Sequence, residues 1–307
     1  MNEIIITENL TKHFGKVHAV SDLSLTIRKG EIYGFLGLNG AGKTTTIRML
    51  LGMIRPNSGS SFIDGEKVRV GNHEMWKKVG YLVEIPYSYP DLTIRENLEI
   101  MRRLRFISDK NSVDIMIDKL QLSPYVNRKV KYLSQGNAQR LGLAKALMHN
   151  PEILLLDEPA NGLDPAGIVE IRELLCDMAL NKGVTIFISS HILSEISKFA
   201  TRIGIIHDGW LIREVNTNQL GQLRQKRLLL NTVDNKAVVS TLAQNDFTAN
   251  VTEAGILEIK SEEAINHPEY IATVLVNAGL PPTLLRVEEE DLESYFLRTI
   301  GMKGGAK

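Results

Sequence analysis

A single cysteine, Cys176, occurs in 307 residues, so no intramolecular disulfide can form and a reducing compartment is expected. Neither charge sign is in excess, because Lys+Arg and Asp+Glu both number 36. A global basic field that would recruit nucleic acid or anionic lipid is therefore missing. No apolar run approaches the roughly 18 to 20 residues that cross a bilayer. The opening segment Met1–Ile6 is too short and too acidic for a secretory signal. Work at a membrane would have to pass through a partner chain. The remaining composition, 43% hydrophobic and 23% charged, is that of an ordinary globular protein, with room for one large domain and a small one.

Residues 4–8, 22–28 and 31–36 read as short β-rich runs, the last two joined at Lys29-Gly30. The third run feeds a glycine-rich turn, and Thr44–Leu51 then has helical composition and stops at Gly52. Further strands are predicted at Ile153–Leu156, after the turn signal Asn150-Pro151, and at Val184–Ser189, which leads into another helix. Strands alternating with helices imply an α/β core with a largely parallel sheet. Asp208-Gly209, between Ile203–Ile206 and Trp210–Ile212, signals a tight antiparallel hairpin. Residues 86–150 lack strand signals and contain helical runs at Thr93–Phe106 and Val113–Leu120, with Pro124 after them. This segment reads as a helical insertion. After residue 216 the pattern restarts with strands at 227–233, 248–252, 256–260 and 284–287. Helices fall at 236–244, 269–278 and 292–300, an order resembling a small ferredoxin-like unit. The expected division is therefore 1–215 and 216–307, with a frayed tail at 301–307.

Gly37-Leu38-Asn39-Gly40-Ala41-Gly42-Lys43-Thr44 fits G-x-x-x-x-G-K-S/T between a predicted strand and a predicted helix. Glycines let backbone N–H groups converge on phosphate oxygens, and the helix start adds its positive dipole end. Lys43 would reach the β- and γ-phosphates, and the Thr44 hydroxyl would ligate Mg2+. Thr45, the next helical residue, belongs to the same expected nucleotide contact. The apolar run 153–156 ends in Asp157-Glu158. Asp157 would sit at the strand's C-terminal edge and hold Mg2+, directly or through water. Glu158 would orient or deprotonate the attacking water. Loop and acidic pair together describe a P-loop nucleoside triphosphatase.

Leu133-Ser134-Gln135-Gly136-Asn137, followed by Ala138-Gln139-Arg140, resembles the ABC signature L-S-G-G-Q. Gly162-Leu163-Asp164 is similar to the D-loop, and His191 to the switch histidine. Taken in order over residues 12–191, these motifs resemble the ATP-binding subunits of ABC transporters. The resemblance implies a RecA-like core with an antiparallel β subdomain, a helical insertion and, in this chain, an appended α+β domain. It implies a head-to-tail dimer, with ATP between the loop of one copy and Ser134, Gln135, Gly136 and Asn137 of the other. Phe14 takes the place of the aromatic that stacks on adenine. His191 would contact the γ-phosphate and Asp164 would join the two sites. Asn137–Met148 carries apolar residues at 138, 141, 144 and 148, so the helix after the signature should have a packed face.

Glu84 stands where most of the family carries the Q-loop glutamine. A carboxylate can still ligate Mg2+, but it adds negative charge near the γ-phosphate. Gln135 and Asn137 also depart from the commoner residues. Glu84-Ile85-Pro86, Tyr89-Pro90 and Leu292–Leu297 resemble the bacitracin-resistance and lantibiotic-immunity branch. The resulting expectation is a cytoplasmic exporter ATPase, peripheral on the inner face of the membrane through a separate permease and without nucleic-acid partners. The alternatives are a generic ABC-2-type exporter ATPase or a soluble regulatory ATPase of the same family. Ribosome-acting relatives usually carry two cassettes. The DNA-repair class splits its cassette with a coiled coil for which the interval from Lys43 to Asp157 has no room.

Overall fold

The computed structural model describes residues 3–71, 75–84, 87–252 and 254–302. Ile85, Pro86 and the end of the predicted frayed tail, residues 303–307, lie outside them. The chain divides into two compact units, residues 1–218 and 219–307.

In the first unit, β1 (Glu3–Phe14) and β2 (Val17–Arg28) form a long antiparallel pair. The sequence predicts only pieces of each. Asn9 and Asp22 adopt positive φ, and register shifts break the alternation that would have marked continuous strands. β3 (Ile32–Leu36) is buried at every position and passes through the glycine-rich turn into α1 (Lys43–Leu50). β4 (Ser58–Ile63) and β5 (Glu66–Lys67) complete an antiparallel sheet ordered β2-β1-β4-β5. After α2 (Met75–Lys78), β6 (Val79–Leu82) returns the chain to the second sheet.

Three α-helices of the predicted insertion follow: α3 (Ile94–Leu104), α4 (Ser112–Lys119) and α5 (Gln135–Leu147). Thr93 precedes α3 rather than starting it. Its hydroxyl accepts the Glu96 N–H while the Glu96 carboxylate takes the Thr93 N–H, a reciprocal cap. α5 has the expected packed face and is buried more widely than that. Gln139, Leu141, Gly142, Leu143, Ala144, Ala146 and Leu147 are all buried, because β6, α3 and α4 contact the helix. A helix contacted on several sides has no single apolar stripe.

β7 (Ile153–Asp157) is buried throughout. α6 (Pro165–Lys182) begins with an Asp164 cap and Pro165, and ends at Gly183 in the left-handed region. β8 (Thr185–Ser190), the short α7 (Leu193–Ile196), β9 (Arg202–His207) and β10 (Trp210–Asn216) follow. Asp208 and Gly209, both at positive φ, make the two-residue β9–β10 turn that the Asp-Gly pair predicts. The second sheet runs β10-β9-β3-β8-β7-β6, parallel except at β10. One apolar core joins Ile5, Leu10, Leu23 and Ile27 to Phe35, Leu155 and Phe187, with Ile47 and Leu50 of α1.

The second unit contains α8 (Leu220–Leu223), β11 (Lys226–Asn231), α9 (Asn235–Ala243), β12 (Ala249–Val251) and β13 (Leu257–Ile259). α10 (Glu262–Asn266), α11 (Pro268–Asn277), β14 (Leu284–Glu289) and α12 (Leu292–Thr299) complete it. The sheet order β12-β13-β11-β14, antiparallel throughout, is that of a ferredoxin-like unit. Leu228, Leu230, Leu257, Ile259, Ile271 and Leu275 form its own core.

Candidate functional site

The C-terminal ends of β3, β7 and β8 lie side by side, with Leu36 beside Ser190 and Asp157 beside Ser189. Open α/β sheets place their ligands at this edge. The loop 37–42 leaves β3 there, and Gly42, like Gly37, is a residue its path cannot replace. Gly42 holds φ at 108°, and a Cβ would lie 2.3 Å from the Ala19 carbonyl oxygen. Gly37 and Ala41 are buried, Leu38 is half-buried, Asn39 and Gly40 face solvent, and Thr45 follows half-buried on α1.

Lys43 is 6% exposed. Its Nζ donates to the carbonyls of Gly37 at 2.6 Å and Leu38 at 3.2 Å. The same ammonium stands 3.1 Å from Glu158 Oε1, and Glu158 Oε2 is 2.8 Å from His191 Nδ1. Lys43, Glu158 and His191 therefore form one connected row. Beside it, Asp157 accepts the Thr44 hydroxyl at 2.6 Å and the Ser189 hydroxyl at 2.6 Å. Ser189 Oγ also accepts the Glu158 N–H at 2.9 Å, so one hydroxyl positions both carboxylate residues. Glu158 and Glu84 both sit at positive φ, 48° and 53°, a conformation uncommon for such side chains.

Glu84 shares a cavity of about 400 Å3 with Thr44, Gln135, Gln139, Asp157, Glu158 and Asn161. Its carboxylate pairs with Arg48 of α1 at 2.6 Å. Sequence reasoning missed Arg48, Gln139, Asn161 and the double role of Ser189. Gln139 donates to the Glu158 carbonyl at 3.1 Å, which ties α5 to the acidic strand end. An apolar-stripe reading of α5 hides a polar residue that is buried there.

Ser134 caps α5, its hydroxyl accepting the Asn137 N–H at 3.3 Å. Gln135 lines the shared cavity, and Gly136 lies close against the Gly162 carbonyl. Asp164 caps α6 by accepting the Gly167 N–H at 3.0 Å. Phe14 ends β1 with half its surface exposed, and Lys12 Nζ lies 5.2 Å from its ring centre. Among the described residues no three His, Cys, Asp or Glu cluster as metal ligands. Thr44, Asp157 and Glu84 are nevertheless oxygen donors on one cavity, the set a hard divalent cation takes.

The fold and this edge define a P-loop nucleoside triphosphatase with the ABC cassette architecture. Residues 20–161 match the family described as ABC transporter. The chain is 42% identical to the bacitracin transport ATP-binding protein BcrA of Bacillus licheniformis, covering 98% of each chain. It is 38% identical to the lantibiotic transport ATP-binding protein SrtF of Streptococcus pyogenes, over 67% of this chain and 88% of that one. A solved dimeric, post-hydrolysis ATP-binding cassette bound to ADP and Pi aligns at TM-score 0.65 and 26% identity, covering 70% of this chain and 99% of that one. The chain belongs to the ATP-binding proteins of ABC transporters, and it is an ATPase. No helix among the described residues is long and apolar enough to cross a membrane.

Proposed function

We propose that this ATPase powers an antibiotic or antimicrobial-peptide exporter, acting from the cytoplasmic face on a separate membrane permease. The names of the bacitracin and lantibiotic relatives support the cargo class. The observation that carries the motor mechanism is the row Lys43–Glu158–His191 beside the Thr44–Asp157–Ser189 contacts.

In this reading two copies meet head to tail around ATP. Phe14 offers its exposed ring to adenine, and residues 37–45 receive the phosphates of one site. Ser134, Gln135, Gly136 and Asn137 of the second copy close it, and Asp164 lies along the joint. A phosphate oxygen would replace the Gly37 and Leu38 carbonyls as partner of Lys43. Glu158 accepts the proton of the water that attacks the γ-phosphorus while the bond to the bridging oxygen breaks. His191 holds the Glu158 carboxylate and the γ-phosphate side of the site. Thr44, Asp157 and Glu84 would hold Mg2+, which supplies charge neutralisation for the phosphates when bound.

Glu158→Gln tests the assignment. Nucleotide affinity, read with a fluorescent ATP analogue, should persist while phosphate release falls roughly a hundredfold to ten-thousandfold. Undiminished hydrolysis would remove Glu158 from this role. Export is tested by co-expressing the chain with candidate permeases and measuring bacitracin and lantibiotic resistance in wild type and Glu158→Gln.

A further inference from the structure

We propose that the ferredoxin-like unit carries a second self-association surface, in which the free edge of β14 pairs with β14 of a second copy. This goes beyond the nucleotide-centred dimer and requires no nucleotide. β14 is the outermost strand of its sheet, six residues long, whereas the opposite edge β12 has only three. Long open edges are templates for strand addition.

The ladder fixes which groups are available. Glu290 N–H bonds the Gln225 carbonyl at 2.7 Å, and Lys226 stands opposite Glu289. Hydrogen-bonded pairs alternate along an antiparallel ladder. Glu288 and Arg286 therefore turn their backbone groups toward β11, and Leu285, Val287 and Glu289 turn theirs outward. A second β14 can bond only through registers that match outward residues with outward residues.

Charge then selects among the twofold registers. Centring on Arg286 sets arginine against arginine, and centring on Glu288 sets glutamate against glutamate. Centring on Val287 sets Arg286 of each copy against Glu288 of the other, twice, at the closer non-hydrogen-bonded spacing. Arg286 has 60% of its side chain exposed and pairs with Glu288 of its own strand, a carboxylate that Arg227 of β11 also holds at 2.6 Å through its other oxygen. Val287 is 41% exposed, on the face shared with core residues Leu228 and Leu230, and in this register it would pack against its symmetry mate. Edge charges commonly deter pairing, but the order Arg-Val-Glu is self-complementary across a twofold axis.

The test is sedimentation of the full-length chain at tens of micromolar in EDTA without nucleotide. Wild type is expected to be dimeric. Arg286→Glu alone and Glu288→Arg alone are each expected to weaken association at least about tenfold, because each sets like charges in register. An equimolar mixture of the two variants is expected to form a heterodimer, since one chain then presents two glutamates to two arginines. A monomeric wild type would overturn the proposal, as would single variants that dimerise like wild type or a mixture that stays monomeric. Thermal melting checks that each variant folds. Fluorescent-nucleotide binding by the same samples reports on the cassette separately, so a failed edge and a failed motor assignment give different results.

Discussion

Glu84 brings a carboxylate to the γ-phosphate side of the proposed site, and Arg48 meets it with an opposite charge at 2.6 Å. The pair is half-exposed, so its worth lies in local field rather than in stability. Arg48→Ala would leave Glu84 facing a polyanionic nucleotide. KM for ATP should rise on the order of fivefold, the upper range for an exposed pair. Adding Glu84→Gln to Arg48→Ala should recover it, and steady-state ATPase assays on the three variants decide the matter. A second residue, His149, carries a pH signature. Burial, followed by the neighbouring Arg105 charge, pulls its imidazole down to about 4. One ring nitrogen lies 3.1 Å from the Val79 carbonyl, and the buried Nδ1 has no partner among the described residues. The unfolded imidazole takes a proton near 6.5 and the folded one only near 4. Stability is thus fully present above 6.5 and is lost as pH falls from there toward 4. Urea midpoints at pH 7 and pH 5 should differ less in His149→Gln than in wild type.

Elements decide how the carboxylates and α5 are held, and here sequence reading was uneven. The loop–helix junction at Lys43, the buried strand ending at Asp157 and the Asp208-Gly209 turn were legible, because each has a local chemical cause. β6 was not. It has four residues, one of them Gly80, too short for a period-2 signal, and it is recognised only by pairing with β7. α6 is punctuated by Asp164, Pro165 and Gly183, but Asp164 fits a D-loop residue as well as a helix cap, so the sequence alone does not single out the cap. Arg48–Glu84 and Gln139–Glu158 join residues far apart in sequence, and no spacing rule exposes such contacts. β6 also yields a prediction. A Cβ on Gly80 would lie 2.2 Å from the Ala146 carbonyl of α5 and 2.8 Å from Leu154. Gly80→Val should push α5 off the sheet and destabilise the fold by about 1–3 kcal/mol, the cost of overpacking a close contact. Chemical denaturation measures it, and a neutral result would mean that the backbone yields more easily than this packing implies.

At the scale of the whole molecule, each unit has a core of its own, so heat should find two cooperative transitions rather than one. Residues 219–307 bury Leu228, Leu230, Val238, Leu242, Leu257, Ile259, Ile271 and Leu275 in a core of their own, and domains of only about 60 residues can fold alone. Nucleotide binds the cassette, so it should raise only the transition of residues 1–218. At a hundredfold excess over Kd that gain is about 2.7 kcal/mol. Glu158→Gln is the suitable protein for this measurement, because hydrolysis would otherwise change the ligand during the scan. The transition that nucleotide leaves in place should coincide with the melting of residues 219–307 expressed alone. Paired β14 edges add a further mark, since a self-associating unit melts higher as protein concentration rises. Calorimetry at two protein concentrations, with and without ATP, therefore separates the two assemblies. Without nucleotide, dilution should lower only the peak of residues 219–307. With ATP the peak of residues 1–218 rises and also becomes dilution-sensitive, because ATP joins two copies there, whereas a single peak moved by both would show that the two units unfold as one.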